Sequence, residues 1–431
     1  MTTRKQIHLA AHFPGVNNTT IWADPLSGSQ IDFSSFEHFA ATAERGKFDF
    51  LFLAEGLRVR EHNGAIHDLD VVGRPDTVTV LAAVAAITEH LGLVGTLNTT
   101  FNEPFELARQ LASIELVSGG RTGWNIVTSN DAFTGENFRR GGFLGNPDRY
   151  TRAAEFVDVS EALWADQRVD HHGEFFDVVG QLSIPVSPQG KPIILQAGVS
   201  DEGRDLAARY ADAIFSPFAD LESGRTFYAD IKRRLAGFGR GADELKILPG
   251  ATFVLGDTEA EAEERYQYER SAQVSGATAL RTLEAVWGRD LSEYDPDGPL
   301  PSVDLVVDAE LTAGRATHHI DRRGSAQAWV EKAEAEKLSI REVAIAKLTR
   351  GILVGTPLQI ADRIDEFVQT EASDGFILVP SITPTGLDEF VDKVIPELQE
   401  RGVYRTEYEP GATLRENLGL PALERSFATL A

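Results

Sequence analysis

Eight short apolar runs, the longer amphipathic stretches between them, and the proline and glycine punctuation at their boundaries predict an α/β protein. Its fold is read as a closed (β/α)8 barrel of the TIM type with insertions at the C-terminal face; an open doubly wound sheet is the alternative arrangement of the same elements. Strands are expected at 6–11, 49–53, 91–97, 121–127, 192–197, 213–216, 248–255 and 375–379. Helical periodicity fills 33–46, 76–89, 104–116, 148–164, 202–210, 221–235, a stretch from 258 onward, and 387–400.

The boundaries carry their own chemistry. Pro104 falls in a first helical turn, where its missing N–H costs nothing. Ser118-Gly119-Gly120 ends the same helix with residues able to take positive φ. Gly355-Thr356-Pro357 offers a threonine N-cap followed by proline at the first helical position. Residues 271–342 break the rhythm, with Asp295-Pro296-Asp297-Gly298-Pro299-Leu300-Pro301 and the cluster His318-His319-Ile320-Asp321-Arg322-Arg323. The chain is therefore expected to be one barrel domain over 1–431, with 271–342 an irregular, lid-like insertion after the seventh strand.

The 431 residues carry a formal net charge of −25. Such a chain repels phosphate backbones and anionic lipid, so neither nucleic acid nor a membrane is expected as a partner, and an anionic ligand needs local donors. There is no cysteine, which removes disulfides, thiolate metal sites and a cysteine nucleophile together. No signal-type leader and no apolar run of about 20 residues is visible, so a cytoplasmic location is expected.

No Walker loop, zincin helix, nucleophile elbow or Rossmann glycine pattern is present. Neutral polar residues instead cluster where strands end: Thr96, Asn98, Thr99 and Thr100 after the third, the run 123–130 at the fourth, and 196–204 at the fifth. In a barrel these tips face the ligand-binding mouth; turn formation and helix capping are the plainer roles for the same residue types. Ser200 opens a helix whose free N–H groups suit a phosphate, a role compatible with capping. His12 ends the first strand and is placed to bind substrate or donate a proton, with a structural hydrogen-bonding role as the alternative. Phe13, Trp22, His62, His67 and Trp124 are further substrate-side candidates. His171-His172 and His318-His319 suggest metal, but neighbours on an extended chain point to opposite faces, so no metal site is expected.

The run Leu116-Val117-Ser118-Gly119-Gly120-Arg121-Thr122-Gly123-Trp124-Asn125-Ile126-Val127-Thr128-Ser129 resembles the signature of the nitrilotriacetate monooxygenase / dibenzothiophene-sulfone monooxygenase branch of the bacterial luciferase-like superfamily. The resemblance continues through Asn102-Glu103-Pro104-Phe105, Asp148-Arg149-Tyr150, Ser187-Pro188-Gln189-Gly190-Lys191-Pro192, Asp374-Gly375-Phe376 and the stretch 404–420. It implies a luciferase-like barrel that binds reduced FMN supplied by a separate NAD(P)H-dependent flavin reductase, and that oxidises a small molecule with O2 through a flavin hydroperoxide. It also implies a homodimer or homotetramer. Carried over by position, the flavin residues are Glu55, Thr96, Asn146, Tyr150 and Ser200, with Tyr150 and Ser200 at the phosphate and Thr96 and Glu55 near the ring system.

Three departures accompany the resemblance. Glu55 replaces the more usual aspartate, Asn146 the usual histidine, and the stretch 164–171 is shortened. The rival readings are a deazaflavin-dependent hydride-transfer enzyme on the same barrel, a flavin-binding barrel without turnover, and a metal-dependent hydrolase.

Overall fold

The computed structural model describes residues 4–13, 20–57, 61–62, 65–66, 75–129, 138, 146–218, 220–306, 322–348 and 352–423. Thirteen strands are described: β1 (His8–Phe13), β2 (Phe50–Leu53), β3 (Glu61–His62), β4 (Ala65–Ile66), β5 (Gly92–Asn98), β6 (Thr122–Val127), β7 (Val169–His172), β8 (Asp177–Gly180), β9 (Ile193–Gln196), β10 (Ala213–Ser216), β11 (Lys246–Leu255), β12 (Ile352–Gly355) and β13 (Gly375–Leu378). Eight of them close on themselves, in the order β1-β2-β5-β6-β9-β10-β11-β13 and back to β1, with every pairing parallel. The expected barrel is present and the open sheet is excluded. Each expected strand lies within two residues of its observed bounds.

Around this barrel run α1 (Phe33–Arg45), α2 (Thr77–Ala85), α3 (Pro104–Ser118), α4 (Asn146–Trp164), α5 (Asp201–Tyr210), α6 (Leu221–Gly237), α7 (Glu259–Gln273), α11 (Pro357–Gln369) and α12 (Asp388–Glu400). The intervening α8 (Gly276–Trp287), α9 (Arg322–Glu336) and α10 (Ile340–Leu348) belong to the insertion, and α13 (Leu414–Asn417) to the tail. Local chemistry sets the ends as expected. Pro104 opens α3, Gly119 closes it at φ 69°, and Thr356 caps α11 in a reciprocal box with Gln359.

Alternation along the strands sorts two environments. Leu9, Ala11, Leu51, Leu93 and Phe376 pack outward against α1, α2, α11 and α12. Ala10, Phe50, Phe52, Val94, Ile193, Leu195, Ala213, Leu248 and Ile377 fill the barrel. Three leucines of the tail, Leu414, Leu418 and Leu420, join that inner cluster and stopper the end where the strands begin.

Two expectations need correction. Residues 271–342 are not irregular throughout: α8, α9 and α10 pack Leu283, Trp287, Trp329, Ile340 and Val343 into a hydrophobic cluster of their own. In α9, charged residues outnumber the buried ones, so its thin apolar stripe does not stand out in the sequence. The eight expected strands also leave out β12, which pairs with residues 252–255 of β11 as a ninth strand outside the closed ring. No helix among the described residues is long and apolar enough to cross a membrane.

Candidate active site

The strands run parallel, so all their C-terminal tips meet at one mouth. Interior positions at that level are His12 on β1, Phe52 on β2, Thr96 and Asn98 on β5, Phe215 on β10, and Gly250 and Thr252 on β11, each in phase with an inner-cluster residue on its strand, together with Asn125 on β6, which pairs with Thr96 and is out of phase with the outward-packed Trp124 and Ile126. Thr96 and Asn125 stand side by side in register, and the Asn125 amide donates to the Thr96 hydroxyl at 2.9 Å. The Asn98 amide and its backbone N–H both donate to one oxygen of Glu55, at 2.7 and 3.1 Å. His12 meets the Phe52 ring edge-on at 5.1 Å, and Phe52 lies parallel to Phe215 at 5.8 Å.

Further along the rim, the hydroxyls of Tyr150 and Ser200 are 3.2 Å apart. Ser200 caps α5, accepting from the Gly203 N–H at 3.2 Å. Glycines allow this closeness. A Cβ on Gly203 would lie 3.1 Å from Gly198 Cα and 3.2 Å from the Tyr150 hydroxyl, and one on Gly198 would lie 2.4 Å from the Gln196 amide nitrogen. Arg149, beside Tyr150, donates to the carbonyl of Thr128 at the end of β6, which ties α4 to the rim.

The mouth is polar but incompletely satisfied. Asn125 Oδ1 and Thr252 Oγ1 are buried and make no hydrogen bond, a costly arrangement that a ligand would relieve. Above the β1 and β13 tips, the C-terminal part of α7 places Glu269 beside Ser381, and burial pushes its carboxyl up to about 6 against the pull of Ser381 and Arg265. Tyr268 next to it donates to Asp24 at 2.9 Å.

The expected site residues separate cleanly. Glu55, Thr96, Tyr150, Ser200 and His12 lie at the mouth, and Trp22 follows β1 on the same face with its buried indole N–H unpartnered. Phe13 and Trp124 do not line it. Phe13 turns outward onto Phe36 at 4.2 Å, and Trp124, fully buried, packs against Phe156 and Trp164 while donating to the Leu97 carbonyl. Position along the chain assigns both to the mouth, whereas strand alternation sends them to the helix layer. Asn146 is the first residue of α4 and His62 forms β3 opposite Ala65, but both side chains lie outside the described residues, as do His67 and His318-His319. His171 and His172 pair with carboxylates, Glu155 at 2.9 Å and Asp177 at 2.9 Å. Among the described residues no three metal-ligating side chains converge.

Phe215, Gly250 and Thr252 are site residues that the sequence does not single out, and Asn125 falls in the polar run 123–130 without being chosen from it. Alternation counted from Gly123 would find Asn125; nothing short of the strand register marks Phe215.

A closed parallel barrel whose strand tips gather polar side chains at one mouth is an α/β barrel with a ligand-binding face. Comparison with known proteins makes this specific. Residues 15–374 match the luciferase-like monooxygenase model. The chain is 38% identical to the N-acetyl-S-(2-succino)cysteine monooxygenase of Bacillus subtilis, with 97% of each chain covered. It is also 38% identical to nitrilotriacetate monooxygenase component A of Aminobacter aminovorans, covering 94% of this chain and 93% of that one. Among solved structures, a riboflavin lyase with modified FMN and riboflavin superposes with a TM-score of 0.77 at 28% identity, over 97% of each chain. The chain belongs to the luciferase-like monooxygenase family and is an oxidoreductase.

Proposed function

We propose that this chain is the oxygenase component of a two-component system, taking reduced FMN from a partner flavin reductase and using O2 to oxidise a small organic substrate. The observation that carries the reading is the Tyr150–Ser200 hydroxyl pair at the start of α5, on the same rim as Thr96, Asn125 and Glu55. Two relatives support it: the nitrilotriacetate enzyme is called component A, and the riboflavin lyase holds a modified FMN.

The residues present fit the cofactor. Buried Asn125 Oδ1 is without a partner beside Thr96 on the β5–β6 side of the mouth, and the glycines of the 198–203 turn leave the approach to α5 open. Tyr150, Ser200 and the first N–H groups of α5 would hold the phosphate. Thr96, Asn125 and the Asn98–Glu55 pair would line the ring system, with Asn146 at the start of α4 as a further flavin residue. When bound reduced, flavin supplies the electrons that activate dioxygen.

The chain's own residues do the rest. The Asn98 amide holds the Glu55 carboxylate at one edge of the mouth. Phe52 and Phe215 exclude water from below. His12, facing inward above Phe52, is the group to hold a proton for the oxygen atom that leaves as water. The whole chain acts as one barrel in the cytoplasm, with the helical insertion within 271–342 as a cover for the mouth and a homodimer or homotetramer as the working assembly.

Titration with reduced FMN under anaerobic conditions tests the reading. Tyr150→Phe and Ser200→Ala are each expected to weaken binding by about 1–2 kcal/mol. Wild-type affinity in both variants would remove the pair from the site.

A further inference from the structure

The end of the barrel opposite the mouth also holds a cavity, of about 980 Å³. It lies between the starts of β1, β13 and β11, neighbours in the ring, and is walled by α6 and by α13 with Gly419. The flavin residues proposed above belong to the C-terminal tips of the strands, so this space is separate from them. A volume of this order is that of a small-molecule site.

Cations from three elements meet there. Lys5 precedes β1, Arg225 and Lys232 stand on α6, and Lys246 is the first residue of β11. The nearly covered Lys232 ammonium donates to the carbonyls of Ala242 at 2.6 Å and Leu245 at 2.5 Å. Lys5 and Lys232 share the Tyr228 ring, 5.4 and 4.9 Å from its centroid. Burial holds the Lys232 pKa below the usual lysine value, and Lys246 and Lys5 push it the same way against the pull of Asp374. Ammonium groups are gathered here against their mutual repulsion.

The carboxylates of the same wall do not balance them. Asp374 is taken up by the Tyr228 hydroxyl at 3.1 Å, the Ile247 N–H at 2.8 Å and Lys232 at 3.6 Å. Glu371 pairs with Lys5 at 2.9 Å, and Glu416 accepts from the Thr413 N–H at the start of α13. Lys246, half-buried, makes no hydrogen bond or ion pair among the described residues. Arg225 uses only Nε, on the Thr370 carbonyl at 3.2 Å. Two cations are thus left over against one exposed carboxylate, Asp243, in a chain whose net charge is −25.

We infer that this cavity is a second binding site, for a small phosphate-bearing anion, with Lys246 and the terminal guanidinium nitrogens of Arg225 as the donors that contact it and Lys5 and Lys232 adding charge. A guanidinium presents two N–H groups to one phosphate, and an ammonium serves as a point charge beside it. Phosphate oxygens diverge tetrahedrally and so accept from several walls at once, whereas a carboxylate offers two oxygens in one plane.

Calorimetric titration of the full-length protein with sodium pyrophosphate, at about 0.15 M ionic strength where the Debye length is about 8 Å, tests the site. Saturable binding is expected. Lys246→Gln should weaken it at least tenfold and Arg225→Gln at least threefold, with reduced-FMN affinity changing less than twofold in each. In a Tyr150→Phe/Ser200→Ala variant, which lacks the hydroxyl pair of the mouth, pyrophosphate affinity should stay within twofold of wild type. A ligand of the folded state raises Tm, so pyrophosphate should do so in wild type and less in Lys246→Gln. Absence of binding, unchanged affinity in Lys246→Gln, or a loss in the mouth variant equal to that in Lys246→Gln would overturn the inference. Citrate binding more tightly than pyrophosphate would overturn it as well, since a polycarboxylate would then be the better fit.

Discussion

The two ends of the barrel handle buried polar groups in opposite ways. At the end where strands begin, charge is paired as it is buried. Arg415 and Asp212 meet at 2.7 Å, each almost wholly covered, and Arg405 joins Asp49 and the Asn417 carbonyl. Burial works against the Asp49 carboxylate, yet Arg405 and His8 hold its pKa below the usual carboxylate range. Tyr404 and Tyr408 donate to carbonyls of residues 46–48, and Arg121 spreads its guanidinium over the carbonyls of Ala85, Thr88 and Leu91. At the mouth, Asn125 and Thr252 keep buried polar atoms unused and Phe215 is left partly uncovered. The floor pairs its buried charges within the chain, although Arg415 Nε and Asn417 Nδ2 are left without a partner there, whereas the mouth leaves neutral oxygens for a ligand.

The difference can be broken from the closed end first. Asp212→Ala leaves the Arg415 charge buried and unpaired and should cost about 3–5 kcal/mol of stability in urea denaturation, with reduced-FMN affinity of the folded fraction unchanged. An effect under about 1 kcal/mol would mean that the closed end is not held by its ion pairs.

A second test uses pH. Burial pushes the Glu115 carboxyl up to about 7, although Gln189, Thr122, Ser187 and Arg415 all act to lower it. Because its folded pKa exceeds the ordinary value, the folded state binds the proton more tightly than the unfolded one. Stability from this group therefore falls as pH rises from about 4.5 to about 7 and is level above that. Glu115→Gln should raise Tm relative to wild type at pH 8, by an amount corresponding to about 3 kcal/mol at most, and the two proteins should converge near pH 5. A Tm difference independent of pH would show that Glu115 keeps an ordinary pKa.

The smallest effect is expected at the mouth. Thr252→Val exchanges a buried hydroxyl that makes no hydrogen bond for a methyl group of similar size, so stability should change by less than about 1 kcal/mol in urea denaturation. A large destabilisation would show that the mouth is stabilised by the same kind of contacts as the floor.

Much of the fold is legible in the sequence because a parallel barrel writes each buried strand as a short apolar run, such as Phe50–Leu53 or Gly92–Asn98. The insertion is harder. α9 has only Arg322, Ala326, Trp329 and Ala333 buried along fifteen residues, too thin a stripe to stand out among Arg, Glu and Lys. At the site, the tips of strands locate Thr96 and Ser200 and the family resemblance adds Glu55 and Tyr150, but neither gives facing direction. A one-residue change of phase sends a side chain to the opposite face, which is why chain position alone puts Phe13 and Trp124 at the mouth while His12 and Asn125, their immediate neighbours, are the residues that point there. Phe215 and Gly250 become related only when β10 and β11 pair, through Phe215 with Leu248 and Ser216 with Pro249.

The stopper at the barrel floor has a consequence for how the ring can be assembled. β1 completes its pairing only with β13, and the Ile7 N–H is bonded to the carbonyl of Val403. The contacts that seal β2 come from Tyr404, Arg405 and Tyr408, more than 350 positions downstream. Contacts of such long range slow folding. During synthesis the earliest strand must wait, edge uncovered, until nearly the whole circuit has been made; the ring cannot grow shut one unit at a time, but snaps together when its final leucines arrive.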